Sequence, residues 1–214
     1  MDQRSPAVVA YRWFVFLLVL GYWIYQFNQM LDPTKGFGWQ FRYLTIWALT
    51  ASLLSAFAVL RLSMGWTDRR PEILAGVAVV MNVMVVYLYW KLFLADPANV
   101  NDGSPILWWQ EYYLHGLGPL LQWIDAFLIL GVFRRPWPVV GALLAVILVY
   151  VGWSELVIQP ANARPVGSVA SGLPYPFLNN LEFSGRLVFY ATSAASAMIV
   201  VAAAWALNRF ILRR

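Results

Sequence analysis

The chain holds one histidine, His115, set in the run His115-Gly116-Leu117-Gly118-Pro119. A lone imidazole argues against a bis-histidine haem or a His-rich metal centre, while a neutral ring remains a natural general base. At about 100° per residue, Glu111, His115, Gln122 and Asp125 fall within an arc of roughly 80°, so one polar stripe runs along this helix. Pro119 cannot donate the helical hydrogen bond that the His115 carbonyl would accept, which predicts a kink and a freed carbonyl. Two glycines in the same turn allow a backbone or ligand to approach closely. Glu111, one turn away, can orient the ring, as can a water or a backbone carbonyl. Asp125 cannot touch it, because ten helical residues span about 15 Å. The same pattern also fits a structural kink around a hydrogen-bonded buried histidine.

A second group of interest is Thr45, which opens a stripe of small residues with Ala48, Ser52, Ser55 and Ala56 that lets a neighbouring helix come close. Thr45 and His115 enter their spans from the same side and can meet at similar depth if those helices are neighbours. The alternative is that Thr45 bonds back to the Phe41 carbonyl, as threonines in membrane helices commonly do. Other polar side chains gather at that end: Tyr22, Gln26, Gln29, Arg42, Tyr43, Tyr87, Tyr89, Lys91, Glu155, Arg186 and Tyr190. An interfacial aromatic belt accounts for the tyrosines and tryptophans. It does not account for Gln26, Thr45, Glu111, His115 and Glu155 at one depth, which predict a polar-floored pocket reachable from lipid or from outside. The opposite halves of the spans read as almost wholly aliphatic.

The elements that must position these residues follow from composition. Of 214 residues, 61% are hydrophobic, which excludes an ordinary water-soluble domain. A span needs roughly 20 apolar residues, so the length accommodates about six and leaves one domain, 1–214. Apolar runs lie at Val8–Leu31, Phe41–Leu62, Ile73–Leu94, Ile106–Phe133, Val139–Ile158 and Leu187–Ile211. The first is too long for a cleaved signal peptide and lacks a small-residue cleavage site. Ten of the fifteen Lys and Arg residues fall on the side of the termini (Arg4, Arg12, Arg61, Arg69, Arg70, Arg134, Arg135, Arg209, Arg213 and Arg214). Five fall on the other: Lys35, Arg42, Lys91, Arg164 and Arg186. This asymmetry predicts cytoplasmic N and C termini. The net charge of +5 sits beside apolar spans, where it serves topology and anionic headgroups, so nucleic acid is not an expected partner. With no cysteine, disulfides, thiolate metal sites and iron–sulfur clusters are excluded. No internal repeat of the transporter kind is visible. The loop Gln159–Gly185, containing PYPFLNN, is the longest and is a candidate lid or a plain tether.

The segment RYLTIW from Arg42, together with HGLGP from His115 to Asp125, resembles the androgen-induced gene one family of multi-spanning membrane proteins. YPFLNN from Tyr175, with Arg186 and Tyr190, resembles bacterial relatives. The resemblance covers most of the chain, though its motifs are short. It implies a threonine nucleophile at Thr45, a histidine base at His115, and hydrolysis of fatty acid esters of hydroxy fatty acids. The expectation is therefore an all-α integral membrane bundle of six transmembrane helices acting as a lipid-ester hydrolase. Gln26, Tyr43, Glu111, Pro119, Glu155 and Tyr190 are its substrate-binding candidates, and Tyr43, Gln26 or Tyr190 could supply an oxyanion donor. No cofactor or metal is expected. The partners are membrane lipids and a fatty-acyl ester, and the location is a bacterial inner membrane with the site toward the outer side. A lipid or small-molecule carrier without catalysis, or a structural membrane partner, is the competing reading.

Overall fold

The computed structural model describes residues 2–28, 37–38, 40–100, 106–162 and 172–212, and every regular element among them is helical. Six helices are long and apolar enough to cross a membrane: α1 (Pro6–Asn28), α2 (Leu44–Ser63), α3 (Glu72–Ala95), α4 (Trp108–Leu130), α5 (Pro136–Ala161) and α6 (Phe183–Phe210). Each corresponds to one apolar run of the sequence, with ends within a few residues. The chain is thus an all-α, six-helix membrane protein, because in lipid each backbone amide must find its partner within its own segment. Gln29, Lys35, Arg164, Arg213, Arg214 and the end of the first apolar run lie outside the described residues.

Helix α3 forms the centre and packs against α2, α4, α5 and α6, while α1 joins through α2. Its small and β-branched residues make this possible: Ala78 and Val80 have no exposed surface, and Gly76 lies against the Val139 side chain. The outer faces of α5 and α6 present Leu148, Leu156, Val188 and Ile199, as lipid-facing surfaces require. The predicted stripe on α2 is buried, with Ala48, Ser52, Ser55 and Ala56 all turned inward.

Helix α4 departs from α-geometry where the proline requires it. Residues Tyr113–Leu117 form a wider π-turn, and His115 itself leaves the helical region at φ −114°, ψ 19°. The freed carbonyl does not stay free: Trp90 Nε1 on α3 donates to it at 2.9 Å. Of the two glycines, Gly118 packs against Tyr113, while nothing lies within 4 Å of a Cβ built on Gly116.

One expectation fails here. The halves of the spans near the termini are not simply aliphatic, because Arg12 and Asp125 form a buried ion pair there. Arg12, Arg42 and Arg186, counted above toward the two sides, are buried side chains. A count of cations along the chain does not distinguish a snorkelling arginine from one paired in the interior.

Candidate functional site

The second residue of α2, Thr45, and the π-turn of α4 face each other, with Thr45 Oγ1 3.4 Å from His115 Nε2. Thr45 therefore does not bond back to the Phe41 carbonyl, which instead accepts from Trp47 and Trp153 Nε1 at 2.8 and 3.0 Å. On the other side of the ring, Glu111 Oε2 approaches His115 Nδ1 to 2.9 Å. Neither atom has a well-directed hydrogen bond, so the contact is close but poorly aligned. Tyr89 of α3 stacks on the imidazole, with ring centres 3.6 Å apart and planes 5° from parallel, and its hydroxyl lies against Glu111. The ring is thereby held on one face by an aromatic plate, on its backbone by Trp90, and at one edge by a carboxylate.

A cavity of about 120 Å³ opens beside Thr45, walled mainly by apolar residues of α3, α5 and α6 such as Met84, Leu88, Ile147 and Ala197. Its polar groups are few: Thr45, Tyr89, Tyr150, Ser154, Tyr175, Tyr190 and Ser193. The described part of the long loop closes part of the wall, since Pro174 and Tyr175 line it just before a one-turn helix, Pro176–Asn179, and Phe177 and Leu178 line it from within that helix. Tyr175 meets the start of α2. Its hydroxyl accepts the Leu44 N–H at 3.2 Å and has the Thr45 and Tyr150 side chains beside it. Burial pushes the Tyr175 phenol above the usual tyrosine range, so it remains a proton donor at neutral pH.

The remaining predicted residues are distributed around this pair. Tyr43 precedes α2 in extended conformation and meets the Tyr175 ring edge-on at 5.8 Å. Tyr190 lines the cavity, but its hydroxyl donates to Glu155 Oε1 at 2.7 Å. Glu155 also receives Arg186 through two bonds of 2.8 and 2.9 Å, so this carboxylate is engaged between α5 and α6 and is not on the cavity wall. Gln26 is buried on α1 away from that wall, its amide nitrogen without a partner among the described residues. His115, Glu111 and Pro119 are all outside the lining of this cavity, so the pair meets it through Thr45. Sequence reasoning gave no role at the site to Tyr89, Trp90 or Tyr150, because nothing in tyrosine or tryptophan spacing tells an interfacial ring from one turned onto a site. The YPFLNN stretch was the available signal for Tyr175.

Thr45 also borders a second, much smaller cavity of about 10 Å³ with Ser52, Asn82, Pro119 and Gln122. A third, also about 10 Å³, lies further along α4 between Arg12, Ser55, Gln122 and Asp125.

These features define a class: polytopic all-α membrane proteins with a hydroxyl–imidazole pair inside the bundle, whose threonine lines an apolar cavity. Within it, the chain belongs to the family described as FAR-17a/AIG1-like protein, whose family model matches residues 9–209. No curated protein and no solved structure matches it.

Proposed function

We propose that this protein is a membrane-embedded lipid-ester hydrolase in which Thr45 is the nucleophile and His115 the general base. The observation that carries the reading is the 3.4 Å approach of His115 Nε2 to Oγ1 of Thr45, a residue that lines an apolar cavity. A threonine hydroxyl is a weak nucleophile until a base within reach takes its proton, and such contacts tighten when substrate binds. An acyl chain occupies the apolar cavity and brings its ester carbonyl to Thr45. Oγ1 attacks the carbonyl carbon as its proton passes to Nε2, and the tetrahedral oxyanion collapses to acyl-threonine while His115 returns that proton to the departing alcohol. Water, deprotonated by the same nitrogen, then releases the fatty acid and regenerates Thr45. Glu111 orients the ring and supports the positive charge it gains. The Tyr175 hydroxyl, which accepts from the Leu44 amide and keeps its own proton to give, and the Thr45 amide are candidate donors for the oxyanion. Membership of the FAR-17a/AIG1-like family and the likeness of its threonine and histidine segments to those of characterised hydrolases support a fatty acid ester of a hydroxy fatty acid as substrate.

The test is turnover of a long-chain ester by purified protein, with a fluorophosphonate probe as the active-site label. Labelling at Thr45 that is lost in Thr45→Ala and His115→Ala is the expected result. Tight binding of an acyl chain with no turnover and no labelling would make the protein a carrier. We also place both termini in the cytoplasm and the Thr45 end toward the outside, on the Lys and Arg asymmetry. Because the chain has no cysteine, Asn180→Cys supplies one exposed thiol, which should react with an impermeant reagent in intact cells. Reaction only after the membrane is breached would reverse the orientation.

A further inference from the structure

Hydrolysis needs a water molecule, and the large cavity is poorly suited to provide it. Its walls are mostly apolar, and an acyl chain bound there displaces whatever it holds. Thr45 has a second neighbour. It forms part of the wall of both the apolar cavity and a 10 Å³ cavity in which Ser52, Asn82 and Gln122 stand among apolar side chains, and that cavity shares Gln122 with the next one along α4. Each has room for about one water, and each offers the polar groups a water needs. In the first, Asn82 Nδ2 donates to Ser52 Oγ at 2.7 Å, which leaves that hydroxyl's own proton to give, and Thr45 borders the same cavity about two turns earlier on α2. In the second, the wall carries Ser55 together with the Arg12–Asp125 pair. Beyond that pair, Arg12 contacts the half-buried Gln3 at 2.8 Å, where the bundle reaches its terminus-bearing end.

We propose that the two small polar cavities hold water in single file, and that this file, entering from the Arg12 end, supplies the molecule that hydrolyses acyl-Thr45. The role in deacylation rests on the hydrolase reading; the hydration itself does not. The arrangement separates the two reactants by chemistry: lipid reaches the threonine through the apolar cavity, and water reaches it from the opposite side along the polar stripe of α4. Gln122 is the shared element, since its amide both donates and accepts and can hand a water from one cavity to the next.

Two measurements test this. The first is burst kinetics with a p-nitrophenyl ester of a long-chain fatty acid. In Gln122→Leu the nitrophenolate burst should persist while steady turnover falls on the order of tenfold to a hundredfold, and intact mass should show acyl-Thr45 accumulating. Ser55→Val, which narrows only the second cavity, should act in the same direction and serves if Gln122→Leu fails to fold. Burst and turnover falling together, or neither changing, would overturn the delivery role. The second is X-ray hydroxyl-radical labelling in oxygen-18 water, read at Tyr113 and Pro119. Both are buried beside the first cavity, so radicals formed on bound water are what reach them. Label in wild type that is lost in Gln122→Leu is expected, and an unlabelled wild type would overturn the proposal whatever the activity. A labelled wild type with neither burst nor turnover would remove the hydrolase reading and the delivery role with it, while supporting the hydrated cavities.

Discussion

At the Arg12 end of the bundle, a guanidinium and a carboxylate meet through two bonds of 2.7 and 2.8 Å. The remaining Arg12 donors are taken by Ser63 Oγ at 2.7 Å, the Val59 carbonyl at 3.1 Å and Gln3 at 2.8 Å. At the Thr45 end, the polar groups are close but less completely paired. The hydroxyl–imidazole contact is 3.4 Å, the carboxylate beside the ring is misdirected, and the threonine borders open space. Both ends place ionisable residues inside a membrane bundle, and both are costly in apolar surroundings. The difference lies in satisfaction. A fully bonded cluster clamps helices together, because moving any member leaves a buried charge alone. An incompletely bonded cluster at a cavity wall keeps bonding capacity for something that arrives. A polar residue in a span is therefore a pointer to function only once its partners are known.

Breaking each end should have opposite signatures. The largest effect is expected at the Thr45 end, where Thr45→Ala and His115→Ala should each lower ester turnover by about 10²- to 10⁴-fold, the scale of general-base catalysis, with little change in melting temperature. The double variant should be hardly worse than either single one, because a nucleophile and its base act as a unit. Thr45→Ser, which keeps the hydroxyl, should retain part of the rate.

At the other end, Asp125→Ala should cost about 3–5 kcal/mol of stability by stranding the Arg12 charge. Thermal unfolding in detergent measures this, and the nitrophenolate burst per folded molecule, which needs no delivered water, should be preserved within a few-fold. Arg12→Leu combined with Asp125→Leu should recover much of the loss. If Asp125→Ala instead abolished the burst in protein of unchanged melting temperature, the contrast between the two ends would collapse.

Smaller effects refine the Thr45 end. Glu111→Gln keeps size and removes the charge, so turnover should drop on the order of tenfold through loss of ring orientation. An unchanged rate would leave Tyr89 and Trp90 as sufficient to hold the imidazole. The smallest change is expected of Pro119→Ala, which restores a backbone donor opposite the His115 carbonyl. Trp90 already satisfies that carbonyl, so the π-turn has a second support. Turnover should fall only a few-fold, and full activity would make the kink purely architectural.

The sequence alone determined the six spans, because a segment in lipid must satisfy its backbone internally and only long apolar runs can do so. It also determined that His115 sits at a break in the fourth span, since proline removes a specific amide, and that Glu111, His115, Gln122 and Asp125 share a face, since helical periodicity is fixed. The short threonine and histidine segments carried a family resemblance that the family match over residues 9–209 bears out. What only the tertiary structure decided is which helices are neighbours, and hence which polar groups meet. Periodicity places Thr45 on a face without saying what lies opposite it. It cannot tell that Arg12 finds Asp125, that Glu155 is claimed by Arg186 and Tyr190, or that Tyr175 comes in from the loop to lie beside Thr45. These pairings join residues from 31 to 131 positions apart, and their geometry depends on how six helices pack side by side, a property of the shapes of all their surfaces together.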